Sequence, residues 1–337
     1  MLSSHKCDPS EAAALHATYP PIDLHADTLL WCQWLGYDLC ARHEPPFWRA
    51  AFGGHVDLPR LVEGGVGGQF FSMVSLPLAK GMLGMARLIH HQLDLFDAAV
   101  VEATGALRPV RTGSELEACR LDGAIGGLLG IEGAHALDGD LDKIDSFARR
   151  GVRYLGLLHF TANEAGYPSF GLGRNDSAGL TPWGFDLIRR CEAAGMFVDA
   201  AHVNRRGFMD ACSFSKKPVI VSHTGVCGAF HHWRNIDDAQ LRAVADTGGV
   251  VGVVFYPMYV GGDEICHIIN HLRHIINVCG EDTPALGSDW DGFITPTSQL
   301  RDPRGLPRLT QALLEAGLGE NLIAKILRKN VLRVLDS

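Results

Sequence analysis

The stretch Pro21-Ile22-Asp23-Leu24-His25-Ala26-Asp27-Thr28 is predicted to form a buried β-strand. Alternate residues of a strand point to the same face, so His25 and Asp27 would present an imidazole and a carboxylate to one small volume. Such a pair can hold a metal ion, although a lone His-x-Asp is more often a hydrogen-bonded feature of a core. Whether this pair binds metal therefore depends on what the rest of the chain supplies.

Apolar, β-branched segments alternate with longer amphipathic segments along the chain, as in repeated strand and helix units. Strands are predicted at 21–27, 66–75, 124–132, 151–159, 196–202, 218–223, 248–256 and 284–289. Helices are predicted at 81–104, 112–120, 138–150, 181–194, 205–213, 237–247, 262–279, 304–315 and 320–334. Eight strands separated by helices indicate a TIM-like (β/α)8 barrel.

The barrel is predicted to be a single domain over residues 1–337, with a short leader at about 1–20 that contains one helical turn near Glu11 to His16. An open doubly wound sheet is the alternative fold. Its phosphate-binding Gly-x-Gly-x-x-Gly turn is missing after the first strand. The glycines of 123–130 lie inside a predicted strand and indicate close packing.

Bulk properties limit the classes of function. The 337 residues are 47% hydrophobic, which is enough for a large core. A net charge of −8 without a basic block argues against nucleic acid. The sequence has no run of about 18 apolar residues to span a membrane, and its first twenty residues lack the apolar centre of a secretory signal. Nine scattered cysteines predict reduced thiols and a cytoplasmic location.

Polar residues fall at the C-terminal ends of most predicted strands, where barrel enzymes keep their chemistry. Taken in chain order they are His25 and Asp27, Glu132, His159, His202, His223, Tyr256 and Asp289. Each alone could be a core or loop residue, but chance explains the whole set poorly. Two long loops, 28–65 and 160–180, are predicted to build or cover the site.

Three imidazoles and two carboxylates exceed the three protein ligands of a single catalytic zinc. They suffice for two ions if Glu132 bridges the pair. His25 and Asp27 would then complete one ion, and His202 and His223 the other. Two ions about 3.5–4 Å apart can hold a hydroxide and polarise a carbonyl or phosphoryl oxygen. The residues thus predict metal-assisted hydrolysis without choosing between an amide, an ester and a phosphoester.

In their order along the chain, these motifs resemble those of the membrane dipeptidase (renal dipeptidase) family of binuclear zinc peptidases. The resemblance runs through Asp23-Leu24-His25-Ala26-Asp27-Thr28, Gly130-Ile131-Glu132-Gly133, Leu157-Leu158-His159, Asp199-Ala200-Ala201-His202-Val203, Ser222-His223-Thr224, Arg234-Asn235-Ile236-Asp237-Asp238, Gly287-Ser288-Asp289-Trp290-Asp291-Gly292 and Asn330-Val331-Leu332-Arg333-Val334. It implies a barrel of the metallo-dependent hydrolase type, two zinc ions (Zn2+) and dipeptide substrates, including those with a C-terminal D-residue.

The resemblance also implies roles for single residues. One ion would be held by His25, Asp27 and Glu132, and the other by Glu132, His202 and His223. In catalysis, Glu132 would act as the bridge, His159 would stabilise the oxyanion, and Asp289 would transfer a proton to the leaving amine. In substrate binding, Arg234 would bind the terminal carboxylate, and His159 would also contact the substrate. Tyr256 is the remaining candidate for substrate binding.

Two other functions stay open. A binuclear amidohydrolase acting on a lactone, cyclic amide or phosphoester commonly has His-x-His on its first strand and a carboxylated lysine as bridge, whereas this chain has His-x-Asp and Glu132. A noncatalytic binding barrel would be expected to have lost ligands, and none of the five is missing. We expect a dipeptide as substrate, neither nucleic acid nor membrane as partner, and a homodimer as the candidate assembly.

The best-known mammalian members of the family carry a secretory signal and a hydrophobic C-terminal anchor signal. The stretch Arg333-Val334-Leu335-Asp336-Ser337 does not resemble such an anchor signal. A membrane-anchored location is therefore not carried over to this chain.

Overall fold

The computed structural model describes residues 8–44, 52–75 and 84–337. Within these ranges the strands are β1 (Ile22–Ala26), β2 (Gly68–Val74), β3 (Leu107–Pro109), β4 (Ile125–Glu132), β5 (Val152–Gly156), β6 (Phe197–Asp199), β7 (Ile220–Thr224), β8 (Val250–Val253) and β9 (Pro284–Leu286). All strand pairs are parallel, and eight strands close into a barrel because β1 pairs with β2 and β9, and β2 pairs with β4. The short β3 lies beside the start of β4. The predicted (β/α)8 barrel is confirmed.

The helices of the described ranges surround this barrel. They are α1 (Pro9–Thr18), α2 (Thr28–Leu35), α3 (Leu58–Glu63), α4 (Met85–Glu102), α5 (Gly113–Leu121), α6 (Lys143–Arg149), α7 (Pro182–Ala193), α8 (Arg205–Phe214), α9 (Asp238–Asp246), α10 (Pro257–Val260), α11 (Ile265–Cys279), α12 (Leu306–Glu315), α13 (Glu320–Ala324) and α14 (Asn330–Leu335). A π-helical turn, Lys325–Lys329, joins α13 to α14. Capping boxes formed by Thr112 with Glu115 and by Asp237 with Gln240 begin α5 and α9.

Four strands end three residues earlier than predicted. The predicted ends were 159, 202, 256 and 289, whereas β5, β6, β8 and β9 end at Gly156, Asp199, Val253 and Leu286. Beyond these residues the backbone no longer pairs with the neighbouring strands. Some of its N–H groups donate to other acceptors, and some of its residues have φ values outside the β region. The Ala201 N–H, for example, donates to the Asp199 side chain over 3.1 Å, and Asp289 has a left-handed φ of 63°.

The predicted loop 28–65 is partly helical, since it contains α2 and α3. Its residues 45–51 lie outside the described residues, as do 76–83, which overlap the start of the predicted helix 81–104. The predicted leader contains a helix of three turns, α1, in place of one turn. His16 on α1 is hydrogen-bonded to Thr310 and to the Gly64 carbonyl, so this segment packs on the barrel's outer helices.

Close packing explains a glycine of β4. A Cβ atom at Gly130 would lie 2.1 Å from Cζ of Tyr154, so a side chain there would displace the tyrosine ring. The Tyr154 hydroxyl is thereby held 3.1 Å from Nδ1 of His25. The predicted role of these glycines in packing is confirmed at this position.

No helix within the described ranges is long and apolar enough to cross a membrane. The eight cysteines of those ranges are free thiols.

His271 on α11 is expected to make the free energy of unfolding depend on pH. Its Nδ1 accepts the Val226 N–H over 2.9 Å and its Nε2 lies 3.2 Å from the Val260 carbonyl, so the neutral ring is the bonded form. Burial lowers the pKa of His271 from 6.5 to about 4. Between these values the unfolded chain binds more protons than the native protein, so the free energy of unfolding falls as the pH decreases, by about 3 kcal/mol from this group.

This contribution is complete above pH 6.5 and is lost as the pH falls from 6.5 to about 4. Urea unfolding of the wild type and of His271→Gln across that range measures it. The variant is expected to lose less stability on acidification than the wild type. Parallel pH profiles for the two proteins would contradict the assignment.

Candidate active site

Glu132, the last residue of β4, lies at the centre of the residues predicted as metal ligands. Its Oε1 atom is 2.8 Å from Nε2 of His202, 3.7 Å from Nε2 of His223 and 3.8 Å from Nε2 of His25. Nε2 of His25 is in turn 3.6 Å from Oδ1 of Asp27. All five side chains are buried. The barrel therefore brings the five predicted ligands into one cluster.

Asp289 and His159 flank this cluster. Oδ1 of Asp289 is 3.9 Å from Nε2 of His25, and Nε2 of His159 is 3.6 Å from Oε2 of Glu132. The His159 ring packs against Phe160, with centroids 4.3 Å apart. Both residues lie three positions beyond the end of a strand, yet their segments continue toward the same face of the barrel.

Hydrogen bonds orient two of the imidazoles. The Ser222 hydroxyl donates to Oδ2 of Asp199 over 2.6 Å, which leaves it to accept from Nδ1 of His223 over 2.9 Å. Tyr154 acts on His25 in the same way, since its hydroxyl donates to the Leu24 carbonyl. In the neutral form with Nδ1 protonated, each ring presents the Nε2 lone pair to the cluster, which is how outer hydrogen bonds prepare a metal-binding histidine.

Buried hydrogen bonds to the Asp23 carboxylate support the segment that carries Asp289. Asp23 accepts the N–H and the hydroxyl of Ser288 over 2.7 Å each, and the side-chain amide of Gln69 over 2.6 Å. Four supporting residues were not predicted from the sequence: Asp23, Asp199, Ser222 and Ser288. A signal was present, because each lies one to three positions before a candidate site residue inside a predicted apolar strand.

Burial raises the pKa values of Glu132 and Asp289. It raises that of Glu132 well above its usual value, and the neighbouring Asp27 adds to the rise. It raises the pKa of Asp289 to about 7, although His25 opposes the change. Carboxylates this close together repel one another, so the site favours a bound positive charge.

The pKa values of the imidazoles shift in two directions. Burial lowers the pKa values of His159, His202 and His223 well below the usual range, with nearby positive groups contributing. Burial alone would lower that of His25 too, but Asp27 and the other carboxylates outweigh it and raise this pKa to about 10. Three rings are thus neutral and able to donate lone pairs, as metal ligation requires.

The donor set fits divalent cations. Nε2 of His25 and Oδ1 of Asp27 are buried and form no hydrogen bond with any described residue. Three groups place ligand atoms within 4.8 Å of one another: His25 with Glu132 and His223, Glu132 with His159 and His202, and His25 with Asp27 and Asp289. Imidazole nitrogens and carboxylate oxygens are ligands that zinc accepts. Cations here would satisfy the unpartnered atoms and offset the carboxylates.

A cavity of about 330 Å³ opens onto the cluster, and its lining combines the guanidinium of Arg234 with the carboxylates of Asp27, Glu132 and Asp289. Arg234 donates to the His223 carbonyl over 2.9 Å and lies 3.4 Å from Nε2 of His202. Asp289 lies near His25, with Oδ1 3.9 Å from its Nε2. The His223 ring packs against both other imidazoles, with its centroid 3.9 Å from that of His25 and 4.9 Å from that of His202.

Tyr256 is not one of the side chains that line the cavity. Tyr259 is among the cavity-lining residues, whereas Tyr256 caps the start of α10 and packs edge-on against Tyr259, with ring centroids 4.8 Å apart. The physical reason is the early end of β8, after which the chain turns into a helix that presents Tyr259. The neighbouring His231, His232 and Trp233 line a second cavity of about 350 Å³.

A strained turn positions Asp289. Asp289, Asp291 and Phe293 all have left-handed φ values, 63°, 67° and 58°, which non-glycine residues adopt rarely. Asp291 secures the turn, because its buried carboxylate accepts the Thr28 hydroxyl over 2.6 Å and the His55 N–H over 2.7 Å. The turn is therefore tied to the segments around α2 and α3.

Substitution Asp291→Ala is expected to lower the free energy of unfolding by about 3 kcal/mol, because the two donors lose their acceptor in a buried place. Alanine also tolerates the left-handed backbone less well than aspartate. Urea unfolding measures the loss, with Asp291→Asn as the comparison because asparagine keeps one acceptor oxygen and the backbone preference. Equal stability of the alanine variant and the wild type would contradict this role.

The chain matches a known protein family over nearly its whole length. The sequence model of the family described as Membrane dipeptidase (Peptidase family M19) matches residues 10–337. The chain belongs to this family. Membership makes it a hydrolase of peptide bonds of the metallo-dipeptidase class, and the resemblance stated from the motifs is confirmed.

Individual members of the family are similar over most of the chain. The dipeptidase tcpJ of Claviceps purpurea is 31% identical over 294 residues, which are 84% of this chain and 69% of that protein. The crystal structure of dipeptidase AC, a family M19 metallopeptidase, has a TM-score of 0.83 at 27% identity and covers 95% of this chain and 98% of its own. A Rhodobacter sphaeroides metallopeptidase, solved with a phosphinate mimic of L-Ala-D-Ala, has a TM-score of 0.81 at 26% identity, with coverages of 94% and 98%.

Proposed function

We propose that the chain is a dipeptidase that uses two zinc ions and accepts dipeptides with a C-terminal D-residue. The observation that carries this proposal is one cavity whose lining combines the cation of Arg234, the carboxylates of Asp27 and Asp289, and Glu132 among imidazoles. A dipeptide is a short zwitterion with one charge at each end, so it matches this arrangement. The volume of about 330 Å³ also favours a small substrate.

The proposed ligands are those that the sequence singled out. His25, Asp27 and Glu132 would hold one ion, and Glu132, His202 and His223 the other. Bound ions would supply Lewis acidity toward the carbonyl oxygen and lower the pKa of water. The unpartnered atoms of His25 and Asp27 support this assignment.

Side chains of the protein itself would bind and orient the dipeptide. Arg234 would receive the C-terminal carboxylate, since a guanidinium fork matches two oxygens and the hydrogen-bond acceptors of Arg234 are neutral, the His223 carbonyl and the Thr224 hydroxyl. Tyr259, which lies on the cavity wall, replaces Tyr256 as our candidate for substrate contact. Asp289 would lie near the N-terminal ammonium group of the dipeptide.

Two residues would act on the reacting atoms. A neutral His159 would donate a hydrogen bond to the carbonyl oxygen as negative charge develops there. Asp289 would carry a proton to the leaving nitrogen. Both side chains are buried beside Glu132 and His25, where they can be held in position.

Acceptance of a D-residue is supported by a relative. The Rhodobacter sphaeroides metallopeptidase was solved with a mimic of L-Ala-D-Ala, and it matches nearly the whole length of this chain. We extend that stereochemical tolerance to this protein as part of the proposal.

The test combines metal analysis with a substrate panel. The purified protein is assayed on L-Ala-L-Ala, L-Ala-D-Ala, N-acetyl-Ala-Ala, Ala-Ala amide, a lactone and a phosphotriester. We expect two zinc ions per chain, hydrolysis of both free dipeptides, and large losses when either terminal charge is blocked. Preferential hydrolysis of the lactone or phosphotriester, or a lack of zinc binding, would contradict the proposal.

Three further predictions from the sequence stay predictions. They are a single domain over residues 1–337, a cytoplasmic location and a homodimeric assembly. Limited proteolysis, cell fractionation and light scattering test them in turn.

A further inference from the structure

The cavity wall beside Asp27 and Asp289 is apolar. Its side chains are Leu30, Trp34, Phe293 and Ile294. The first two lie one helical turn apart on α2, which begins directly after Asp27, and the last two follow Asp289 in the strained turn. The chain connectivity therefore places this wall next to Asp27 and Asp289.

The aromatic part of this wall is held in place. The Phe293 ring lies 5.4 Å from that of Trp31 and 6.0 Å from that of Trp34, measured between centroids. Trp31 in turn donates its indole N–H to the Asp291 carbonyl over 2.7 Å. Trp34 and Phe293 nevertheless keep 49% and 46% of their surface exposed, so each can contact a ligand.

The orientation of the substrate then decides which side chain meets the wall. With its carboxylate at Arg234, a dipeptide places its ammonium group toward Asp27 and Asp289. The ammonium group and the N-terminal side chain branch from the same Cα, so that side chain must also lie near these two carboxylates. We propose, resting on the dipeptidase function above, that Trp34 and Phe293 form a specificity pocket for a large apolar N-terminal side chain.

An acidic N-terminal side chain suits this place poorly. None of the four wall residues can neutralise a carboxylate or donate a strong hydrogen bond to it in an apolar setting. An N-terminal glycine would leave the aromatic wall without a partner. Because one methylene in an apolar pocket changes kcat/KM by roughly 10–200-fold, the preference is large enough to measure.

The test compares dipeptides that share a C-terminal alanine in zinc-loaded protein: Gly-Ala, Leu-Ala, Phe-Ala and Glu-Ala. We expect kcat/KM for Leu-Ala and Phe-Ala to exceed that for Gly-Ala and Glu-Ala by at least about tenfold. Equal values for Gly-Ala and Phe-Ala would overturn the specificity while leaving the dipeptidase function intact. No hydrolysis of any of the four would overturn both proposals.

Variants assign the effect to the wall. In Trp34→Ala and Phe293→Asn, the Phe-Ala to Gly-Ala ratio of kcat/KM is expected to fall at least about threefold. Asparagine is chosen because it tolerates the left-handed φ of 58°. The control Leu121→Ala removes an exposed apolar side chain at the end of α5, outside the cavity lining, and its ratio should match the wild type. A ratio unchanged in both wall variants would overturn the pocket.

Discussion

Substitution Glu132→Gln is expected to lower kcat/KM for dipeptides by at least about a thousandfold. Oε1 of Glu132 lies within 3.8 Å of three imidazole nitrogens, so this carboxylate would contribute to both proposed ion sites. Glutamine has nearly the same size but carries no charge, and its amide can direct N–H groups toward lone pairs. The loss of metal-supplied stabilisation is several kcal/mol, and each 1.36 kcal/mol is tenfold in rate.

The measurement pairs steady-state kinetics on L-Ala-D-Ala with zinc content by elemental analysis. Zinc content is expected to fall below two ions per chain in the same variant. Glu315→Gln makes the same chemical change at an exposed position on α12 and should leave both quantities as in the wild type. A Glu132→Gln protein with full zinc and full activity would rule out the bridging role.

Substitution Asp289→Asn is expected to lower kcat by about 10²–10⁴-fold, the usual contribution of a positioned acid or base. Asparagine cannot accept and release the proton that the leaving amine needs. It does tolerate the left-handed φ of 63°, so the strained turn should remain folded. None of the five proposed ligands is changed, and we therefore expect both zinc ions to remain.

Zinc content and kcat are measured on the same preparation, and circular dichroism checks the fold. Asp289→Ala serves as the second variant, because it removes the carboxylate without leaving an amide in its place. Retention of zinc together with wild-type kcat in either variant would show that Asp289 does not transfer the proton.

Much of the fold was predictable because parallel strands have a simple signature. Buried strands such as Ile125–Glu132 are continuous apolar runs, and the helices between them have their own period, so the barrel was predicted and is confirmed. α2 was missed because Thr28–Leu35 is almost entirely apolar and directly follows a strand. β3 was missed because three residues carry too little periodicity to indicate a strand.

The convergence of the site residues was also predictable in part. In a parallel barrel all strand ends point to one face, so His25, Glu132 and His223 had to lie near one another. The placement of Tyr259 in the cavity wall was not predictable, because it depends on where β8 stops and α10 begins. The supporting hydrogen bonds of Asp23 and Asp199 were likewise not predictable, since their serine partners are 265 and 23 residues away in the chain.

The barrel, the family and the set of candidate ligands could be predicted from the sequence, because periodicity and ordered motifs are local properties of the chain. How these groups act together depends on the folded barrel. Folding places Glu132 among three imidazoles and brings Arg234, Asp289, Trp34 and Phe293 to the lining of one cavity. Those relations depend on distances between residues far apart in the chain, and such distances arise only when the barrel closes.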